Sequence, residues 1–139
     1  MNTRSGTVSH PADLGLWVEA DTKEELFASA AVALGELMIK GPRDGEIQWL
    51  PLELEGADLA DLLVALLNEE VYRLDAEGLL TVAVKVIDLT GATLSARLGV
   101  IPLDKEKHTP GEPVKAVTYH QAEVEPCGQA WRAKVIMDV

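Results

Sequence analysis

Trp131-Arg132-Ala133-Lys134-Val135-Ile136-Met137-Asp138-Val139, the last nine residues of this 139-residue chain, alternate as a strand to their end. Trp131, Ala133, Val135, Met137 and Val139 fall on one face, and Arg132, Lys134, Ile136 and Asp138 on the other. Chain termini normally fray. Here the strand stops on Asp138 and brings a second carboxylate, that of the C-terminus at Val139, one residue further on. The pattern predicts a pinned, acidic edge of a sheet.

The turn Pro126-Cys127-Gly128 separates this stretch from a second candidate strand, Val114 to Glu125. A hairpin centred near Cys127 sets Lys115 beside Val139 and Val117 beside Asp138. A lysine next to two carboxylates has two readings. It is a salt bridge closing an exposed strand end, with little stability attached, or it belongs to a small polar site at one end of the sheet. Two carboxylates with further oxygen donors from a nearby loop are what a hard cation such as Ca²⁺ or Mg²⁺ requires.

The length suits one domain, residues 1–139, that buries roughly two thirds of the surface its unfolded chain exposes. Hydrophobic residues make up 47% of the chain, which supports a packed core, and a formal charge of −11 repels nucleic-acid phosphates. No run of lysine or arginine overrides that charge. The apolar stretch Leu62-Leu63-Val64-Ala65-Leu66-Leu67 is too short to span a bilayer, and Met1 to Gly6 lacks the apolar core of a signal peptide. A soluble, cytoplasmic protein without direct strong nucleic-acid binding is expected. The single cysteine, Cys127, has no second thiol for a disulfide or zinc site and reads as an exposed turn residue.

Upstream, Thr22-Lys23-Glu24-Glu25 has the form of a capping box, and Leu26, Ala30, Ala33, Leu34, Leu37 and Met38 follow at helical spacing until Gly41-Pro42. Glu46 to Glu55 alternates as a short strand that Pro51 confines to an edge or bulge. Asp58 is a good N-cap for a second helix with Leu59, Leu62, Leu63, Leu66, Leu67 and Val71 as its stripe and Gly78 as its stop. Glu69 falls at the edge of that stripe, where a boundary residue is ordinary. Leu80 to Val86 and Ala92 to Val100 read as a hairpin, and Pro102 to Pro113 as a mobile loop and contact surface. Two helices on one face of a mostly antiparallel sheet bury all these faces, an α+β fold in two layers.

Ser9-His10-Pro11-Ala12-Asp13-Leu14-Gly15 precedes a strand from Leu16 to Ala20. Its His-x-x-Asp pair has the letters of a metal ligand pair, and a turn built by Pro11, Asp13 and Gly15 explains the same letters. That segment, Leu67-Asn68-Glu69, Val114-Lys115-Ala116-Val117-Thr118-Tyr119-His120 and Trp131 to Val139 recur in this order in one family. Across essentially its whole length the chain resembles archease.

The resemblance implies a small cytoplasmic protein that assists the GTP- and metal-dependent RNA ligase of tRNA splicing and RNA repair. Members promote the ligase's guanylylation and multiple turnover and are not ligases themselves. Carried over, the metal ligands are Asp13, Asp138 and the C-terminal residue Val139, for a divalent ion, Ca²⁺ ahead of Mg²⁺ or Mn²⁺. Lys115 matches a lysine implicated in activation, and His120 and Glu69 join it as activation or partner-contact residues. Ser9 departs from the acidic residue that many members carry before the histidine. The competing class is a small metal-dependent hydrolase with Asp13 and Asp138 as ligands and His120 or His10 as general base. Against it, no nucleophile-base pair or phosphate-cradling glycine loop is present.

Overall fold

Thr22 begins the first helix as its spacing predicts, its hydroxyl accepting the Glu25 amide at 3.1 Å. In the computed structural model, which describes residues 3–9 and 13–139, the elements run in the order β1 (Arg4–Ser9), β2 (Asp13–Ala20), α1 (Lys23–Met38), β3 (Ile39–Lys40), β4 (Gln48–Glu55), α2 (Leu59–Glu77), β5 (Leu79–Leu89), β6 (Thr93–Pro102), β7 (Thr109–Pro110), β8 (Ala116–Cys127) and β9 (Ala130–Asp138). The fold is α+β, with two helices packed against antiparallel sheets. Among the described residues the return half of the capping box is not formed, and Glu25 Oε2 is buried with no hydrogen-bond partner. Asp58 caps α2 by accepting the Asp61 amide at 2.8 Å, and Gly78 ends it in the left-handed conformation at φ 65°.

The strands divide into a four-stranded sheet ordered β1-β2-β9-β8, a three-stranded sheet ordered β4-β6-β5 and a short β3-β7 ribbon. Pro51 lies on β4, an outer strand of its sheet, the edge position that its sequence predicts. α1 packs on β2, β9 and β5, and α2 packs on β8, β5 and β4, so the core fills the space between helices and sheets. Gly35 brings α1 close to β5, because a Cβ there would stand 2.7 Å from the Thr81 carbonyl oxygen. Strand β1 carries no alternation strong enough to have announced it. Among the described residues no helix is long and apolar enough to cross a membrane.

The segment from Pro102 to Pro113 is not the free loop its polarity and prolines predict. His108 is buried, its Nδ1 accepts the Asp104 amide at 2.9 Å and its Nε2 stands 2.7 Å from the Pro42 carbonyl oxygen. Gly111 and Glu112 donate their amides to Met38 and Leu37 at 2.7 and 2.9 Å. A segment that satisfies its backbone this way is tied to the end of α1.

One charged residue enters the core. Glu70 is 1% exposed and neither carboxyl oxygen has a hydrogen-bond partner, like the nearby Thr81 Oγ1. Burial pushes its carboxyl well above the ordinary carboxylate range, and the positive charge of Arg43 opposes this only in part. An acid with a raised native pKa holds its proton in the folded state and loses it on unfolding. Stability is therefore full below the ordinary carboxylate range and falls as pH climbs through the raised value. Glu70→Gln is expected to remove that slope, so thermal melts between about pH 5 and pH 9 should diverge from the parent toward the alkaline side. Parallel curves would show that the carboxyl does not carry a proton in the core. Leu63 is 0% exposed, and Leu63→Ala is expected to cost about 2–5 kcal/mol in denaturant unfolding. A loss below about 1 kcal/mol would mean that α2 does not anchor the core.

Candidate functional site at the end of the four-stranded sheet

Strand β9 is central, with β2 on one side and β8 on the other. Its pairing with β2 is unbroken from Ala20↔Trp131 to Asp13↔Asp138. Residues directly opposite in an antiparallel pair project from the same face with Cβ atoms about 4.5–5.5 Å apart. The two aspartates therefore stand side by side at the sheet's end. Asp13 is half-buried and its Oδ1 is shielded from solvent with no hydrogen-bond partner among the described residues, while Asp138 is exposed. A shielded carboxylate oxygen without a donor is costly unless something positive meets it.

On the other side, Ala116 pairs with Asp138, and the Lys115 amide donates to the Asp138 carbonyl oxygen at 2.8 Å. Ala116 thus faces Asp138, and the backbone of Lys115 is tied to it. The hairpin brings Lys115 to the acidic end as its sequence predicts, in a register that continues to the expected place of Lys115 beside Val139 but sets Val117 one residue off the expected Asp138. Val117 instead faces Met137. Between this end and the turn the ladder shifts at a bulge, because Tyr119 to Ala122 of β8 all face the single residue Val135 of β9. Gln121 there holds φ 60°, a left-handed conformation uncommon for a residue with a Cβ. The turn is also tighter than expected, with Cys127 paired to Ala130 and half-buried.

The remaining sequence-selected residues lie apart from the carboxylates. His120 is exposed on the bulge, its amide donating to Thr118 Oγ1 at 3.1 Å. Glu69 is paired with Arg73 at 3.0 Å on α2. His10 lies outside the described residues, as does the rest of the turn up to Ala12. Among the described residues Lys115 makes no ion pair with either aspartate, so the simple salt bridge is not formed. Nor do three or more histidine, cysteine, aspartate or glutamate side chains gather there. A cation at this place would take the two aspartates and other oxygen donors.

Two features escaped the sequence reading. Asn68 of α2 donates Nδ2 to the Val117 carbonyl and accepts the Val117 amide on Oδ1, each at 2.8 Å. Its signal was an amide one turn after Val64, beside the buried stripe of a leucine-rich helix. Tyr119, half exposed, donates its hydroxyl to Asp58 Oδ2 at 2.8 Å. The Asp61 amide and then this hydroxyl hold the Asp58 carboxyl below its ordinary range.

Residues 6–139 match the archease protein family. Protein archease of Pyrococcus furiosus is 36% identical over 135 residues, with 94% of each chain covered. That of Sulfolobus acidocaldarius is 30% identical over 138 residues, with 99% of each covered. Among solved structures, the solution structure of Methanobacterium thermoautotrophicum protein 1598 superposes with a TM-score of 0.76 at 28% identity, covering 97% of this chain and 98% of that one. The crystal structure of the Thermotoga maritima archease shares the fold, with a TM-score of 0.63 at 22% identity over 95% of this chain and 94% of that one. With a family match over nearly the whole chain and relatives alike along their full length, the protein belongs to the archease family.

Proposed function

We propose that this protein is a non-enzymatic activator of the GTP- and metal-dependent RNA ligase of tRNA splicing and RNA repair, working in the cytoplasm through the acidic end of the β1-β2-β9-β8 sheet. Family membership supports the class of function. The observation that carries the mechanism is the pairing of Asp13 with Asp138, with Asp13 Oδ1 shielded and without a hydrogen-bond partner among the described residues. Asp13, Asp138 and the terminal carboxylate of Val139 would hold a divalent cation, Ca²⁺ in preference to Mg²⁺ or Mn²⁺, since an all-oxygen set without an imposed octahedron suits the larger ion. The ion supplies positive charge that offsets the carboxylates and can face phosphate oxygens. Lys115, exposed and tied by its amide to Asp138, adds a mobile ammonium at the same end.

An activator must reach into another protein, and this end is built for it. Asp138 and Lys115 are exposed at the tip of a rigid sheet. Two clefts of the described surface lie elsewhere, one of about 340 Å³ between α1, β1 and β5, another beside Asp58 and Tyr119. A hydrolase would need a base near the ligands, and His120 stands on the bulge without contact to either aspartate. The formal charge of −11 argues that any RNA is met through the ligase and not by this chain directly.

Divalent ions are expected to raise the melting temperature, since a ligand at about 100 times its dissociation constant adds roughly 2.7 kcal/mol. Unchanged melts with Ca²⁺, Mg²⁺ and Mn²⁺ alike would remove the metal site from the free protein. With the cognate ligase, the parent protein is expected to stimulate guanylylation and multiple-turnover RNA ligation. Asp138→Asn and Lys115→Ala should each cost no more than about 1 kcal/mol without metal and yet abolish stimulation. Full stimulation by a folded Asp138→Asn protein would place the working site elsewhere.

A further inference from the structure

The bulge in β8 raises the question of what sets the register at the acidic end. In an ordinary hairpin the turn fixes the pairing of every rung. Here the turn at Gly128 governs the rungs from Cys127↔Ala130 to Glu123↔Lys134, and the four-against-one bulge then breaks the ladder. Past it only Thr118↔Ile136, Val117↔Met137 and Ala116↔Asp138 remain before the strand ends. Three rungs on an outer strand hold a register weakly. A slip of one residue would turn the β8 side chains to the opposite face and move Lys115 off Asp138.

Asn68 meets the strand in the middle of those three rungs. Its amide gives one hydrogen bond to Val117 and takes one from it, both at 2.8 Å. That is the pattern by which a neighbouring strand residue exchanges two bonds with its partner. The side chain therefore acts as one residue of a further strand on the open edge of β8. It is rigidly borne, because Leu66, Leu67 and Val71 around it on α2 are all 4% exposed or less. Val117, 3% exposed, pushes its side chain into the core beneath.

We infer that Asn68 is a positioning residue of the acidic end: it selects the register of β8 beyond the bulge and so holds Lys115 against Asp138. The inference rests on the activator reading for its consequence, and on hydrogen bonding alone for its mechanism. Asparagine suits the task since it offers donor and acceptor together. Aspartate keeps the shape and the acceptor but sets a charge against the Val117 carbonyl, and alanine offers neither.

The test compares Asn68→Ala and Asn68→Asp with Leu63→Ala in the full chain, the last serving as a core variant that lowers global stability without removing a hydrogen bond to β8. Amide exchange is followed residue by residue. In Asn68→Ala the amides of Val117 and Lys115 are expected to exchange about tenfold faster or more, beyond any global change, as two ordinary hydrogen bonds are lost. Amides of β5 and β6 should follow global stability only. In Asn68→Asp the Val117 amide should keep more protection than in Asn68→Ala, because its acceptor remains. With the cognate ligase, maximal stimulation should fall several-fold in Asn68→Ala, while the activator concentration for half-maximal effect changes little. The assignment is overturned if Val117 and Lys115 keep parental protection, or lose only what Leu63→Ala loses at matched stability. If the parent itself gives no stimulation, the activator reading fails, and the exchange pattern still decides whether Asn68 sets the register.

Discussion

The pairing of β9 on both edges is the constraint on which the molecule depends. Ala133, Val135 and Met137 bury one face of the strand in the core, and Ile136 is buried as well. With β2 and β8 fixed on either side, its last residues have no freedom to fray. This turns what is usually the loosest part of a chain into a defined edge. The same pairing brings Asp13, some 125 residues earlier, to Asp138. Two like charges side by side oppose the fold slightly, and the hydrophobic rungs behind them easily outweigh that cost.

Around this strand the fold divides labour. α2 works on both sides of its axis. Leu62, Leu63, Leu66 and Leu67 are fully buried and supply the core, while Asn68 at the stripe's margin reaches β8 and Asp58 at the N-cap receives Tyr119. The two polar contacts lie on the N-terminal side of Gln121, one at Val117 before the bulge and one at Tyr119 where it begins. The left-handed Gln121 is held between them and the resumed ladder at Glu123. Strain of this sort persists where neighbours over-determine it. α1 instead approaches by smallness, with Gly35 set against the β5 backbone.

Much of this was legible in the letters. Thr22 and Asp58 announced both helix starts, Gly78 one end, and Pro51 the outer position of its strand, because caps and proline act through bonds within a few residues. The acidic end was legible too, since alternation and a turn place Lys115 near the terminus. What was not legible depends on distant partners. The bulge from Tyr119 to Ala122 has no local marker, so Val117 and the rungs next to the turn depart from a single ladder centred near Cys127. The segment from Pro102 to Pro113 looked free because its ties, His108 to Pro42 and Gly111 to Met38, are made across the fold. Polar composition describes how a segment meets water and leaves open what else its backbone meets. Glu70 in the core is the same lesson reversed, since helical spacing from Leu63, Leu66 and Leu67 sets it on the buried stripe and only its charge spoke for the surface.

The reading of the acidic end comes down to whether Asp13 and Asp138 share a cation. Its most direct measurement is anomalous scattering at the manganese edge from crystals of the full chain soaked in Mn²⁺. One strong peak within about 2.6 Å of carboxylate oxygens from both aspartates is the expected result. No peak there, with the Asp13 carboxylate instead met by the Lys115 ammonium, would contradict it.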